Sequence, residues 1–332
     1  MAGPFDLCHA SGGDIMERRT LGKTSMQVSI LGFGGSEIGH DNAAVKTVSR
    51  LLESALDAGL NVIDTAACYK DGEELIGKTV SHRRQDYYLF TKCGHLNGHK
   101  FPDWSPQSLE TSIDRSLQRL RTDYLDLIQL HSCEEEILKQ GAAIEVLQRA
   151  KDKGKTRYIG YSGDNEPALY AVNCGAFDTL QISVSIADQK ALDLTLPIAK
   201  NKEIGVIAKR PLANAAWRYA ARPQDPYLQT YWERLVRLDY PFLRTAAKAG
   251  RKAALRRLLK LDGPDAKTGP QTALQFALKV PGVHTAIVGT TKPGRWQQNA
   301  EMLAEESLTQ AQFDAIRDRW AEVAPDDWTG EI

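Results

Sequence analysis

The chain has 332 residues with 42 basic and 42 acidic side chains, so its formal net charge is zero, and 42% of its residues are hydrophobic. Balanced charge gives no electrostatic reason to bind nucleic acid or an acidic membrane surface. No stretch approaches the roughly 18 uninterrupted apolar residues that a membrane-spanning helix needs. Five cysteines in so long a chain do not form a disulfide framework. Because residues 1–14 also lack the apolar core of a secretory signal, we expect a cytoplasmic protein.

The start of the chain predicts a β-hairpin that precedes the main body of the fold. Residues 17–21 and 27–31 have strand character and flank a Gly-Lys-Thr-Ser turn at 22–25. Residues 1–16 contain glycine and serine and are expected to be flexible.

From residue 30 onward, short apolar runs alternate with segments whose apolar residues recur at helical spacing. The predicted strands are 30–35, 60–64, 87–92, 124–130, 157–161, 179–183, 204–208 and 285–288. The predicted helices are 42–58, 72–81, 106–120, 141–150, 166–172, 192–201, 272–278, 292–303 and 310–323. Strands that alternate with helices pair in parallel, and eight such units at this chain length favour a closed (β/α)₈ TIM barrel over an open sheet.

Residues 212–269, after the seventh strand, are too numerous for a plain loop. Helical patterns at 228–238 and 253–261 predict a helical insertion at the barrel mouth. Because no low-complexity linker interrupts the chain, we predict a single domain over residues 1–332.

Three neighbouring strands end on an ionisable side chain. These are Asp64, Lys92 and His131, and Tyr69 lies on the loop after Asp64. The carboxyl ends of barrel strands meet at one face, so the four side chains are expected to converge. Lys92 would then lower the pKa of the Tyr69 phenol, and Asp64 would keep Lys92 charged. His131 would hydrogen-bond the oxygen of a carbonyl group. A proton donor beside a polarised carbonyl, without a nucleophile, predicts reduction by a hydride from a nicotinamide.

These motifs resemble those of the aldo-keto reductase family. The matching segments are 61–69 (Asn-Val-Ile-Asp-Thr-Ala-Ala-Cys-Tyr), 91–92, 119–131 and 154–162. The resemblance covers nearly the whole chain and places the family's catalytic tetrad on Asp64, Tyr69, Lys92 and His131. It implies a TIM-barrel enzyme that reduces a small aldehyde or ketone to an alcohol with NADPH. The expected assembly is a monomer or a small homo-oligomer.

The resemblance also implies contacts to the nicotinamide end of the cofactor. Ser162 and Gln181 match the positions that hold the carboxamide. Gly163 stands where the family usually has asparagine, so Asp164 or Asn165 is expected to substitute. Lys209 and Arg210 replace the aromatic residue that normally stacks on the nicotinamide, and Arg210 could reach the pyrophosphate.

The segment after the last strand resembles the family's 2′-phosphate and adenine site. Its candidate cofactor residues are Gly289, Thr290, Arg295, Gln298 and Asn299. Thr290 and Arg295 would hold the phosphate, and Gln298 and Asn299 would lie near the adenine. Arg295 is the main reason to expect NADPH rather than NADH, and the backbone N–H groups that open the helix add to anion binding.

Two tryptophans on loops at the mouth are candidate walls of an apolar substrate pocket. Trp104 follows the third strand and Trp217 follows the seventh. A packing role within the loops themselves is equally open.

Cysteines close to the tetrad raise two further hypotheses. Cys68, Cys93 and Cys133 could bind zinc together with His95 and His131, which would make the chain a barrel metallohydrolase. No CxxC or HxH pairing is present, however, and Lys92 would repel the metal. Oxidation of a cysteine near Lys92 could also block the mouth. A third class is a non-catalytic subunit that binds nicotinamide, which only measured turnover separates from a reductase.

Overall fold

The computed structural model describes residues 16–96, 98, 102–242 and 269–331. A hairpin of β1 (Arg18–Thr20) and β2 (Gln27–Ser29) comes first and is antiparallel. The strands that follow are β3 (Leu31–Gly34), β4 (Val62–Asp64), β5 (Tyr88–Cys93), β6 (Leu125–His131), β7 (Thr156–Ser162), β8 (Thr179–Ser183), β9 (Gly205–Lys209) and β10 (Val283–Gly289). They form a closed parallel barrel in the order β10-β3-β4-β5-β6-β7-β8-β9. The predicted (β/α)₈ barrel with an N-terminal hairpin is therefore confirmed.

Helices surround the barrel strands. In chain order they are α1 (Ser36–His40), α2 (Val45–Asp57), α3 (Gly72–Val80), α4 (Pro106–Leu120), α5 (Glu135–Gln140), α6 (Ala142–Asp152), α7 (Asn165–Asn173), α8 (Lys190–Leu194), α9 (Leu196–Asn201), α10 (Pro226–Leu238), α11 (Gly269–Lys279), α12 (Arg295–Ala304) and α13 (Gln310–Val323). The segments Ser81–Asp86 and Ala213–Arg218 are 3₁₀ helices. None of the described helices is long and apolar enough to cross a bilayer.

Short helices are where sequence and structure differ. Helices α1 and α5 have five or six residues and were not predicted, because fewer than two turns cannot establish an apolar period. The predicted helix over 192–201 is divided into α8 and α9. In the predicted insertion, α10 lies where a helix over 228–238 was expected. The predicted helix at 253–261 and the predicted flexible residues 1–15 lie outside the described residues.

The inside of the barrel is apolar at its amino-terminal end. Val62, Phe90, Leu127 and Ile207 form a buried cluster with Leu21, Met26 and Val28 of the hairpin. Because side chains alternate along a strand, residues two positions further along lie on the same interior face. For Val62, Phe90 and Leu127, those residues are Asp64, Lys92 and Gln129. A polar layer therefore lies directly above an apolar one.

Candidate active site

Asp64 and Lys92 form a buried ion pair at the carboxyl ends of β4 and β5. Lys92 Nζ lies 2.5 Å from Asp64 Oδ1 and 2.8 Å from the carbonyl oxygen of Thr65. Both side chains are at most 2% exposed. The parallel register pairs Asp64 with Phe90, two residues before Lys92. Each charge thus has the partner that makes its burial tolerable.

The second carboxylate oxygen of Asp64 accepts hydrogen bonds from two amides. Gln181 Nε2, on the far side of the barrel, lies 2.8 Å from Asp64 Oδ2, and Gln129 Nε2 lies 3.4 Å from it. Ser162 Oγ in turn donates to Gln181 Oε1 at 3.1 Å. The two residues predicted to hold the carboxamide are thus connected to the tetrad itself. Gln129 was not among the predicted site residues, although it lies two residues before His131 on β6 and the alternation of side chains along the strand places it inside the barrel.

The structure brings the other two tetrad residues to the same place. Lys92 Nζ lies 5.1 Å from the centroid of the Tyr69 ring. The rings of Tyr69 and His131 meet edge to face, with centroids 5.7 Å apart and an angle of 81°. His40, which the sequence reasoning did not consider, has its ring centroid 5.8 Å from that of Tyr69. The four candidate catalytic side chains therefore form one cluster.

The pKa of Tyr69 differs from the expectation. Burial, followed by the charge of Asp64, raises the pKa of Tyr69 well above its ordinary value of 10. The expected lowering by Lys92 was wrong in direction, because the Lys92 charge is offset by Asp64 at 2.5 Å while burial penalises the phenolate. The phenol is consequently protonated at neutral pH, which is the state that donates a proton.

A second imidazole and an indole lie beside His131. His95 Nε2 donates to the carbonyl oxygen of His131 at 2.7 Å, and the two rings are perpendicular with centroids 5.3 Å apart. The Trp104 ring meets His95 edge to face at 5.6 Å. Gly94 permits this approach, since a Cβ on it would lie 1.9 Å from the Trp104 ring. Both Trp104 and Trp217 are partly buried against the apolar core, and Trp104 is also near the candidate site through His95.

Lys209 and Arg210 share an acidic partner that the sequence reasoning assigned to the nicotinamide. Lys209 Nζ lies 2.8 Å and Arg210 Nη1 3.8 Å from Asp164 Oδ2. Arg210 Nη1 also donates to Ser183 Oγ at 3.1 Å, and Arg210 Nε donates to the Tyr227 hydroxyl at 3.2 Å. Tyr227, on α10, was missed because it lies inside the predicted insertion. The two cations are therefore engaged with side chains of the barrel mouth.

The chain end also reaches this region. Asn165 Nδ2 donates to the carbonyl oxygen of Gly330 at 3.0 Å, and the Gly330 N–H donates back to Asn165 Oδ1 at 2.7 Å. Arg210 Nη1 donates to the carbonyl oxygen of Glu331. Gly330 and Glu331 thus contact two of the positions that the sequence associated with the cofactor.

The candidate 2′-phosphate segment lies where β10 meets α12. Gly289 ends β10, and Arg295 is the first residue of α12 after Gly294, whose φ is 80°. Arg295 and Gln298 are exposed, whereas Asn299 is buried. Thr290 Oγ1 accepts the backbone N–H of Lys292 at 3.1 Å. The carboxyl group of Glu37 lies close by, because a Cβ on Gly289 would lie 1.6 Å from Glu37 Oε2.

The cysteines of the sequence hypotheses are neutral thiols. Burial raises the pKa of both Cys68 and Cys133 to about 12 and raises that of Cys93 as well. The thiolate that oxidation requires is therefore scarce at neutral pH, which counts against a thiol-sensitive mouth. Among residues 16–96, 98, 102–242 and 269–331, no group of three or more His, Cys, Asp or Glu side chains is placed to hold a metal ion.

An eight-stranded parallel barrel with an ionisable cluster at the carboxyl ends of its strands defines the class of TIM-barrel enzymes. The sequence model of the aldo/keto reductase family matches residues 30–321, so the chain belongs to that family. It is accordingly an NAD(P)H-dependent oxidoreductase that acts on carbonyl groups.

Individual relatives agree with this membership. L-galactose dehydrogenase of Arabidopsis thaliana is 31% identical over 316 residues, which cover 88% of this chain and 90% of that protein. D-threo-aldose 1-dehydrogenase of a Pseudomonas species is 26% identical over 324 residues, covering 85% of this chain and 91% of that protein. The structure of aldo-keto reductase AKR11C1 from Bacillus halodurans superposes with a TM-score of 0.74 at 23% identity. That superposition covers 94% of this chain and 99% of the other, and it supports the fold.

Proposed function

We propose that the protein reduces a small aldehyde or ketone to an alcohol with NADPH, and that Tyr69 is the general acid. The observation that carries this proposal is the convergence of Tyr69, His131 and the Lys92–Asp64 ion pair at the barrel mouth. The cluster holds a phenol, an imidazole and a buried ammonium but no activated nucleophile, which suits proton donation to a carbonyl oxygen.

Each residue has a separate task in this proposal. When bound, the nicotinamide supplies the hydride that adds to the carbonyl carbon. Tyr69 donates its proton to the carbonyl oxygen, and His131 donates a hydrogen bond to the same oxygen. Lys92 compensates in part for the charge of Asp64 when negative charge develops on the phenol, because its ammonium lies 5.1 Å from the ring centroid. Asp64 holds that ammonium in position through the 2.5 Å contact.

The adenosine half of the cofactor is assigned to the start of α12. Arg295 is exposed at the first position of this helix, where its guanidinium and the positive end of the helix dipole favour a phosphate. Thr290 and Gly289 lie just before the helix, and Gln298 and Asn299 lie one turn into it. At the other end, we assign the carboxamide to Ser162 and Gln181 and the pyrophosphate to Arg210.

A hydroxylated substrate is the class that the mouth suits best. The exposed imidazole of His40 can hydrogen-bond a hydroxyl group, and Trp104 offers a ring face for stacking. Two of the relatives are named as dehydrogenases of galactose and of aldoses. These names favour a second candidate, the reverse reaction, in which a sugar is oxidised. The same tetrad would serve both directions, because the Tyr69 group that donates a proton in the reduction accepts one in the oxidation.

The test is nicotinamide consumption over a panel of aldehydes, ketones and sugars, in both directions, with wild type and Tyr69→Phe. We expect Tyr69→Phe to lower turnover by roughly 10²-fold or more and to leave cofactor affinity nearly unchanged, because only the general acid is lost. Tyr170→Phe, which removes a phenol from α7 on the outside of the barrel, is the matched control. A Tyr69→Phe enzyme with full turnover would show that the acid has been misassigned.

A further inference from the structure

Cys68 directly precedes the proposed acid and contacts the imidazole of the tetrad. Its Sγ lies 3.4 Å from His131 Nδ1, within hydrogen-bonding distance for sulfur. The side chain is half-buried at the barrel mouth. The proposed function assigns no role to this thiol, although the thiol contacts His131, which is assigned the second hydrogen bond to the carbonyl oxygen.

We propose that Cys68 is a positioning residue that donates its S–H to Nδ1 of His131 and thereby keeps the ring proton on Nε2. The proposal rests on the proposed function, because the tautomer matters only if His131 serves a carbonyl oxygen.

The direction of this hydrogen bond follows from the chemistry of the two groups. Burial raises the pKa of Cys68 to about 12, and Lys92 opposes that shift only in part, so the sulfur carries its hydrogen at neutral pH. A thiol is a weak acceptor, whereas the lone pair of a neutral imidazole nitrogen is a good one. The arrangement S–H···Nδ1 is therefore favoured over Nδ1–H···S. A neutral imidazole has one ring proton, which must then lie on Nε2.

The surroundings of His131 keep its ring in the orientation that this contact needs. The ring is perpendicular to that of His95 at 5.3 Å and nearly perpendicular to that of Tyr69 at 5.7 Å. The His131 carbonyl oxygen accepts from His95 Nε2 at 2.7 Å, and the residue is only 7% exposed. Rotation of the ring, which would put Cδ2 in the place of Nδ1 at the Cys68 contact, would have to displace these neighbours.

The consequence for catalysis lies in the second hydrogen bond to the substrate. A carbonyl oxygen that receives a proton from Tyr69 is best polarised by a second donor. An imidazole with its proton on Nε2 provides that donor, while the other tautomer would turn a lone pair towards the oxygen. The loop that carries Tyr69 would thus also set the tautomer of His131.

The experiment combines kinetics with long-range proton–nitrogen NMR, which distinguishes the two tautomers of His131. We expect wild type to show the proton on Nε2 and Cys68→Ala to show a mixture of tautomers. Cys68→Ala should lower kcat about tenfold, the size of one lost hydrogen bond in a transition state, with KM changed less than about twofold. Cys68→Ser should recover most of that loss, because its hydroxyl is also a donor. Cys174→Ala, which removes an exposed cysteine, is the control.

Two results would overturn the inference: a wild-type spectrum with the proton on Nδ1, or equal losses of kcat in Cys68→Ala and Cys68→Ser together with an unchanged tautomer. Failure of the proposed function is distinguishable from either. It would appear as a wild type without turnover on any carbonyl or alcohol, and the NMR spectrum would still decide whether Cys68 sets the tautomer of His131.

Discussion

Replacing Lys92 with methionine tests whether the ion pair at the centre of the barrel is as interdependent as its geometry indicates. Methionine keeps the length of the side chain but removes the charge that lies 2.5 Å from Asp64. Asp64, at most 2% exposed, would then be a buried carboxylate without a cation, a change that costs about 3–5 kcal/mol of stability. Gln181 still donates to Asp64 at 2.8 Å and Gln129 at 3.4 Å, so we expect the lower part of that range, about 3 kcal/mol.

The assay is urea unfolding of four proteins: wild type, Lys92→Met, Asp64→Asn and the double variant. The double variant leaves no unpaired charge in the barrel, so it should recover at least half of the stability that Lys92→Met loses. Comparison of the four free energies of unfolding separates the interaction between Lys92 and Asp64 from the change in packing at each position. A Lys92→Met protein within about 1 kcal/mol of wild type, or a double variant that loses the sum of the two single effects, would refute the reasoning.

Two predictions concern groups away from the ion pair. Arg295→Ala should weaken NADPH binding by about tenfold or more while changing NADH binding less than about twofold, because the guanidinium is assigned to the 2′-phosphate. Fluorescence titration with both cofactors measures this, and equal losses would remove the assignment. Burial, together with the charge of Asp164, raises the pKa of Asp188 to about 7. The folded state therefore binds this proton more tightly than the unfolded chain, where the pKa is about 3.9. Its contribution to stability is full below about pH 4 and is lost as the pH rises through about 7. Asp188→Asn should make the free energy of unfolding, measured with urea, depend less on pH between about 4 and 7. An unchanged profile would show that Asp188 does not bind the proton.

The strand ends were predictable because the pattern that specifies them is local. A short apolar run followed by a charge, as in Val62–Asp64, gives both the strand and the residue that its end presents. The closed parallel barrel then brings such ends together regardless of their separation in sequence. The strand limits were less accurate, since β6, β7 and β9 extend to His131, Ser162 and Lys209. Hydrogen bonding with neighbouring strands sets those limits, and a single run does not reveal it.

Contacts across the barrel and to the chain end were not predictable. No local signal links Gln181 to Asp64, 117 positions away, because that contact depends on the diameter of the closed barrel. The pairing of Asn165 with Gly330 likewise depends on where residues 329–331 pass over the strand ends. The direction of the Tyr69 pKa was missed for a related reason. The net effect of a cation on a phenol depends on the distance of the anion that neutralises it, and the sequence does not give distances.

The two halves of the candidate site are held in different ways. At the reacting end, Asp64, Lys92 and Gln181 satisfy one another inside the barrel, so their geometry is set by strand register before any ligand binds. At the cofactor end, Arg210 donates to the backbone of Glu331 and lies beside Asp164. A pyrophosphate that recruits Arg210 must therefore compete with contacts already present in the protein. Preorganisation of donors lowers a reaction barrier most where charge develops, and the proposed proton transfer takes place at the rigid end.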